Sequence, residues 1–258
     1  MKVPLLARVA FLACLLTLWE LASRVGPWPH YLFPGPVSVA GSLARLLESG
    51  RLGAAVLRSL SRLAQGYGLS AAIGVPLGIA LARLHWVRVA LRPLVLGLQA
   101  LPSICWLPLA LLWFGLSERA IVFVVVMGSL LAIAIASEDG VAQIEPLLLR
   151  AAGVLGIQGL RFYGGVLLPA ALPGIVTGLK LGWSFAWRAL MAGELLFVAG
   201  GLGQLLQEGR ELLDTSQVVA VMIAIVVVGA VVDQVIFRLV ETRVRRRWGL
   251  ADELLEAA

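Results

Sequence analysis

Six predominantly apolar stretches recur along the chain, at about 5–25, 63–82, 94–115, 120–137, 173–197 and 217–240. Each is close to the roughly 20 residues that a helix needs to cross a bilayer. Charged or Gly/Pro-rich breaks separate them, among them Arg83-Leu84-His85-Trp86 and Leu116-Ser117-Glu118-Arg119. Hydrocarbon offers backbone groups no water to bond, so stretches of this length are expected as helices. Composition agrees: 60% of the 258 residues are hydrophobic and 14% are charged, against about 45–50% and about 25% in soluble chains. That is too little charge to coat a surface wetted on all sides. The expected fold is all-α, a polytopic membrane protein of about six transmembrane helices, with residues 1–258 as one domain. Residues 1–62 hold the first span and an amphipathic segment, Val37 to Leu47, expected outside the cytoplasm, and 63–245 form the core.

A formal charge of +6 would suit a polyanion, yet the basic residues sit beside apolar segments rather than among exposed aromatics, so no nucleic-acid partner is expected. Arg243 and Arg245 to Arg247 directly follow the last apolar run, as cytoplasmic anchors do. With both termini cytoplasmic, Lys2, Arg8, Arg83, Arg88, Arg92, Arg150, Arg161 and Arg238 join them inside. Arg24, Arg45, Arg51, Arg58, Arg62, Arg119 and Arg210 are then outside. Cys14 and Cys105 lie within apolar runs, and His30 and His85 lack partners at ligand spacing, so no metal site is expected.

The most informative inside loop spans about 138–168. Pro146 is placed to start a helix, and Gly153, Gly156 and Gly159 can end one or admit another chain. A short helix-turn-helix outside the bilayer is expected. Its Leu147, Leu148, Leu149, Val154 and Leu155 need cover, either from the lipid surface or from a soluble partner.

In the fifth stretch Gly174, Gly178, Gly182 and Ala186 recur every four residues, a ridge along which another helix can pack closely. Gly74 and Gly78 form a shorter ridge that could oppose it. Lys180, Arg188 and Glu194 are costly in a span, about 2.5–3.5 kcal/mol each at its centre, so each is expected to face the bundle, water or a partner. Asp233 lies at a depth matching Lys180, and a structural ion pair between them competes with solute contact; Glu20 is the corresponding candidate for Arg188.

Arg150-Ala151-Ala152, then Gly156, Phe162 or Tyr163, Leu168-Pro169, Pro173 and Ile175, resemble the EAA loop of ABC importer permeases. The resemblance extends through Leu101 to Pro108, Leu112 to Gly115, Ala192-Gly193-Glu194 and Gly201-Leu202-Gly203, covers about 10–248, and is nearest to the nitrate, sulfonate, taurine and bicarbonate branch. Arg150 departs from it by replacing the loop's acidic residue. The resemblance implies a type I ABC importer permease fold in a bacterial inner membrane, paired with a second permease, usually an identical copy. It also implies two ATP-binding subunits, which bring ATP and Mg, and an extracytoplasmic substrate-binding protein. Arg150, Ala151, Ala152, Gly156 and Leu160 would couple to the ATPase. Lys180, Trp183, Ser184, Trp187, Arg188 and Glu194 would be candidates for the path of a small anion. The sequence contains no Gly-Lys dipeptide, and so no phosphate loop of its own; no cofactor on this chain is expected. A membrane-embedded transferase would need an acid/base constellation near one interface, and a passive channel would need rings of like polar residues.

Overall fold

The computed structural model describes residues 5–29, 31–196 and 200–247. Lys2 and the tail beyond Arg247 lie outside them, as does His30. The described residues are helical, without strands: α1 (Leu5–Val25), α2 (Pro36–Glu48), α3 (Arg51–Arg83), α4 (His85–Gln99), α5 (Leu107–Phe114), α6 (Glu118–Ala142), α7 (Pro146–Val154), α8 (Gly159–Phe162), α9 (Leu168–Leu196), α10 (Leu202–Glu211), α11 (Thr215–Val232) and α12 (Arg238–Arg247). A π-helical turn at Tyr163–Leu167 joins α8 to α9, and another at Asp233–Phe237 joins α11 to α12.

Among the described residues, four continuous helical stretches are long and apolar enough to cross a membrane: Arg51–Arg83, Glu118–Ala142, Gly159–Leu196 and Thr215–Val244. They carry the second, fourth, fifth and sixth expected spans. The third, 94–115, is not one straight helix. The chain breaks between Gln99 and Ser103, and the flanking helices are bent by 102°. Pro102 explains the break: it has no N–H to donate, disfavours helical geometry at Leu101, and is itself extended at φ −54° and ψ 137°. The first expected span falls on α1, a helix of 21 residues.

The chain divides into two compact units. One comprises the described residues of 1–59 and 194–230. Here α2 buries Val39, Ser42 and Leu46, three- and four-residue steps that make one helical stripe. The Trp19 indole donates to Pro34 O at 3.1 Å and the Ser23 hydroxyl to Phe33 O at 3.0 Å, so α1 and the loop before α2 are tied by bonds to backbone. Asp214 caps α11, accepting the Gln217 amide at 3.0 Å.

The second unit comprises 60–193 and the described residues from 231 on. Its centre is α6, with Val124, Val125, Ile133 and Ala134 buried. In lipid, helices gain little by hiding apolar surface from one another, and close packing of small residues takes over. Both glycine ridges meet α6. Gly74 and Gly78 of α3 lie against Leu130, Ile133, Ala134 and Ser137, whereas Gly174, Gly178 and Gly182 of α9 lie against Gly140, Ala136 and Ile133. A Cβ on Gly174 would stand 2.5 Å from Gly140 Cα, so only glycine permits that approach. The expectation that the two ridges oppose each other is therefore corrected: α6 has small residues on two of its faces and stands between them. Buried hydroxyls fasten one side, Ser129 donating to Ser70 Oγ at 2.8 Å.

Candidate translocation and coupling sites

The segment between α6 and α9 begins as expected and is shorter than expected. The membrane helix α6 continues through Ala142, Pro146 opens α7 at its first position, and helical structure resumes at Gly159. At the end of α7, Gly156 takes φ +69°. Its N–H bonds Gly153 O at 3.1 Å, and the Ile157 N–H bonds Ala152 O at 3.0 Å. This paired arrangement is a Schellman C-cap, which favours glycine at the left-handed position. Inward, Ile144, Leu149 and Phe162 pack with Val141, Leu167, Ala171 and Ile175, and Ala152 is buried. The Arg83 guanidinium lies 5.2 Å from the Phe162 ring centroid, a cation–π contact that ties this segment to the end of α3. Outward, Leu147, Val154, Leu155 and Leu160 are exposed, Leu160 to 91%, alongside Arg150 and Ala151. The segment is thus anchored on one side and presents an uncovered apolar face on the other.

The break between α4 and α5 opens a cavity of about 260 Å³. Leu98 to Ser103, Met127, Gly128, Leu131, Ala132, Phe185 and Arg188 line it. Arg188 is held there by its own helix: its Nε donates to Ser184 O at 3.0 Å, and its guanidinium carbon lies 4.7 Å from the Phe185 ring centroid. No carboxylate among the described residues pairs with it. Glu20, the candidate partner, bonds Arg24 on its own helix at 2.6 Å. Gln99 and Ser103 supply polar side chains to the wall, and neither has a side-chain hydrogen bond among the described residues.

The other residues singled out on this helix are placed differently. Trp183 is buried, its ring 5.6 Å from Tyr67 and 5.7 Å from Phe237, with Trp187 stacked at 6.3 Å. The Tyr67 hydroxyl donates to Leu179 O at 2.9 Å. Neither tryptophan lines the cavity; they form an aromatic cluster with α3 and the π-helical turn that precedes α12. Ser184 Oγ faces Lys180 O at 3.4 Å. Lys180 Nζ lies 4.0 Å from Asp233 and 3.7 Å from Glu241, so the expected ion pair is present, with a second carboxylate beside it. Ala186 is fully buried, in register with the glycines of the ridge.

Glu194 is 1% exposed and does not line the cavity. It accepts the Gly203 N–H at 3.1 Å and the Ser59 hydroxyl, and Ser59 Oγ in turn accepts the Leu202 N–H at 2.9 Å. A carboxylate thereby caps the start of α10 from another helix. Cβ atoms on Gly201 or Gly203 would collide with Glu194, so the Gly-Leu-Gly sequence and the acid fit one another.

Sequence reasoning missed Gln99 and Phe185 as lining residues, although Pro102 inside an apolar stretch was a signal for the break. It also missed Glu138, an acid near the end of an apolar helix, which α4 engages through Arg88 at 3.4 Å and Arg92 at 2.9 Å.

The chain as a whole is similar to known proteins. Residues 74–246 match the family described as binding-protein-dependent transport system inner membrane component. An Escherichia coli permease protein assigned to aliphatic sulfonates transport is 31% identical over 243 residues, covering 94% of this chain and 92% of its own. The nitrate import permease protein of a Synechocystis strain is 28% identical, with 87% and 84% covered. Among solved structures, the inward-facing MetNI methionine ABC transporter matches with a TM-score of 0.67 at 22% identity, covering 75% of this chain and 96% of that one. At that identity it establishes a shared fold.

Proposed function

Because the chain belongs to the family of binding-protein-dependent transport system inner membrane components, a transport rather than an enzyme family, we propose that it is the permease subunit of an importer for a small oxyanion of the nitrate, sulfonate, taurine or bicarbonate type. The observation that carries the substrate class is Arg188, a permanent cation on the wall of the cavity at the α4–α5 break, without a carboxylate partner among the described residues. A guanidinium offers a planar fork of donors that matches the oxygens of such anions. The relatives named for sulfonate and nitrate support the same class.

In this reading two permease chains, identical copies, stand together, and two ATP-binding subunits dock on the exposed face around Arg150, Ala151 and Leu160. ATP and Mg belong to those subunits. Anchoring by Ile144, Leu149 and Phe162 gives the docking segment the rigid link that a push from outside the membrane requires. Arg150, where the EAA-loop pattern has an acid, leaves apolar contact rather than a salt bridge as the main grip. Both termini and Arg150 are cytoplasmic, and the binding protein delivers solute from the opposite side.

The test is reconstitution of the co-expressed transporter in liposomes with its binding protein. ATP hydrolysis is measured with nitrate, an alkylsulfonate, taurine or bicarbonate present. Stimulation by at least one of these four solutes, each of which carries an anionic oxygen group, is expected; stimulation only by solutes lacking such a group would overturn the substrate class while leaving the family membership intact.

A further inference from the structure

The start of α4 carries a second cationic feature, separate from the cavity at its end. Arg88 and Arg92, one turn apart, both engage the carboxylate of Glu138, Arg88 at 3.4 Å and Arg92 at 2.9 and 3.1 Å, and in each case through Nε. Glu138 is 2% exposed, so this anion is sealed in by the two arginines. Two guanidiniums against one carboxylate leave one formal positive charge in excess. Among the described residues nothing bonds the outer Nη amines of either arginine. Those side chains remain 53% and 39% exposed.

They line a cleft of about 480 Å³ together with His85, Val89, Pro93 and Leu96. The cleft therefore has a cationic wall with spare donors and an apolar wall along the same helix. Its position relative to the bilayer follows from its neighbours. The spanning helix α3 ends at Arg83 and α4 begins at His85. Trp86, exposed to 71%, adds the amphipathic ring typical of the headgroup layer.

We propose that this cleft binds an anionic phospholipid. Its phosphate lies against the outer guanidinium edges of Arg88 and Arg92, and the beginning of an acyl chain runs along Val89, Pro93 and Leu96. Charge and apolarity side by side at headgroup depth match an amphiphile with a negative head, as in the basic pockets that hold acidic lipids between transmembrane helices. Guanidiniums already oriented by Glu138 lose little freedom when they add a phosphate. The inference depends on membrane insertion and not on which solute is carried.

The experiment uses the full-length permease, purified in neutral detergent from membranes of the co-expressed transporter. It is titrated with phosphatidylglycerol or with phosphatidylcholine of the same acyl chains, and bound lipids are counted by native mass spectrometry. A preference of about fivefold for phosphatidylglycerol is expected from one net charge at the headgroup layer. Arg88→Gln should remove it while Arg92 still neutralises Glu138. Val89→Glu, which keeps Glu138 and both arginines and places a competing carboxylate in the cleft, should remove it as well. Equal retention of the two lipids, or an undiminished preference in both variants, overturns the proposal. Displacement of phosphatidylglycerol by inorganic phosphate alone also overturns it, identifying a free-anion site. In a Cys14→Ser/Cys105→Ser background, Val89→Cys that cross-links to itself in membranes would identify the cleft as a contact between two copies and overturn it too.

Discussion

The Ser59 hydroxyl sits 2.9 and 2.7 Å from the two carboxylate oxygens of Glu194, 135 residues away in sequence. It joins α3 to the end of α9, and through the Leu202 and Gly203 amides both side chains hold the first turn of α10. Each hydrogen bond to a buried charge is worth about 1.5–3 kcal/mol, and stranding its partners adds to the loss. Glu194→Ala should therefore destabilise the chain by about 3 kcal/mol or more, read as a lower thermal midpoint in detergent. Ser59→Ala should cost less, because the Gly203 amide still reaches the carboxylate. Full stability of Glu194→Ala would refute the capping role.

Gly156 occupies a left-handed position that costs an L-residue about 1–2 kcal/mol. Gly156→Val should weaken the C-cap of α7 and reduce solute-stimulated ATP hydrolysis while membrane insertion stays normal. Gly156→Asn, which tolerates that conformation, should retain most of the activity. Open space around the position means that sterics inside this chain do not confound the comparison. Equal coupling in both variants would show that the geometry of this turn is not transmitted to the ATPase.

Arg188→Gln keeps much of the side chain's shape and removes its charge. Uptake should fall about tenfold or more, the scale of one lost hydrogen bond to a charged group, with assembly and basal ATP hydrolysis preserved. Arg188→Lys should fall in between, because a point charge replaces the planar fork. Unchanged uptake in Arg188→Gln would remove Arg188 from the path.

Lys180 stands between Asp233 and Glu241, with all three side chains 30–40% exposed. At that exposure a pair is worth less than about 1 kcal/mol. Lys180→Met should be mildly destabilising, since it leaves two carboxylates near one another, and adding Asp233→Asn should restore part of the loss. A thermal double-mutant cycle measures the coupling; additive effects would mean that the contact carries no energy.

Topology reporters fused at Arg150 and after Arg247 should both report the cytoplasm, and fusions at Arg119 or Arg210 the opposite side. An outside signal at Arg150 would defeat the coupling assignment along with the orientation.

Four of the spans and the short helix α7 were legible because their causes are local. About 20 apolar residues make a membrane helix wherever they occur, and Pro146 and Gly156 mark helix ends through the covalent geometry of single residues. The Lys180–Asp233 pair was legible for a related reason: charges in apolar helices seek partners at equal depth, and depth can be counted at 1.5 Å per residue.

Sequence by itself determined the class of protein, four helices long and apolar enough to cross a membrane and the family motif between α6 and α9, since hydropathy, capping and spacing act within one segment. Only the tertiary structure decided that both glycine ridges face α6 and that the third apolar stretch turns through 102° to open a cavity beside Arg188. It also decided that Glu194, which the motif made a path candidate, is a buried cap and that Glu138 is sealed by two arginines. These contacts join residues far apart in the chain, such as Arg92 and Glu138 at a separation of 46. No periodicity encodes such a pairing; it exists only once the helices have packed and each buried polar group must find whichever partner the packing brings within reach.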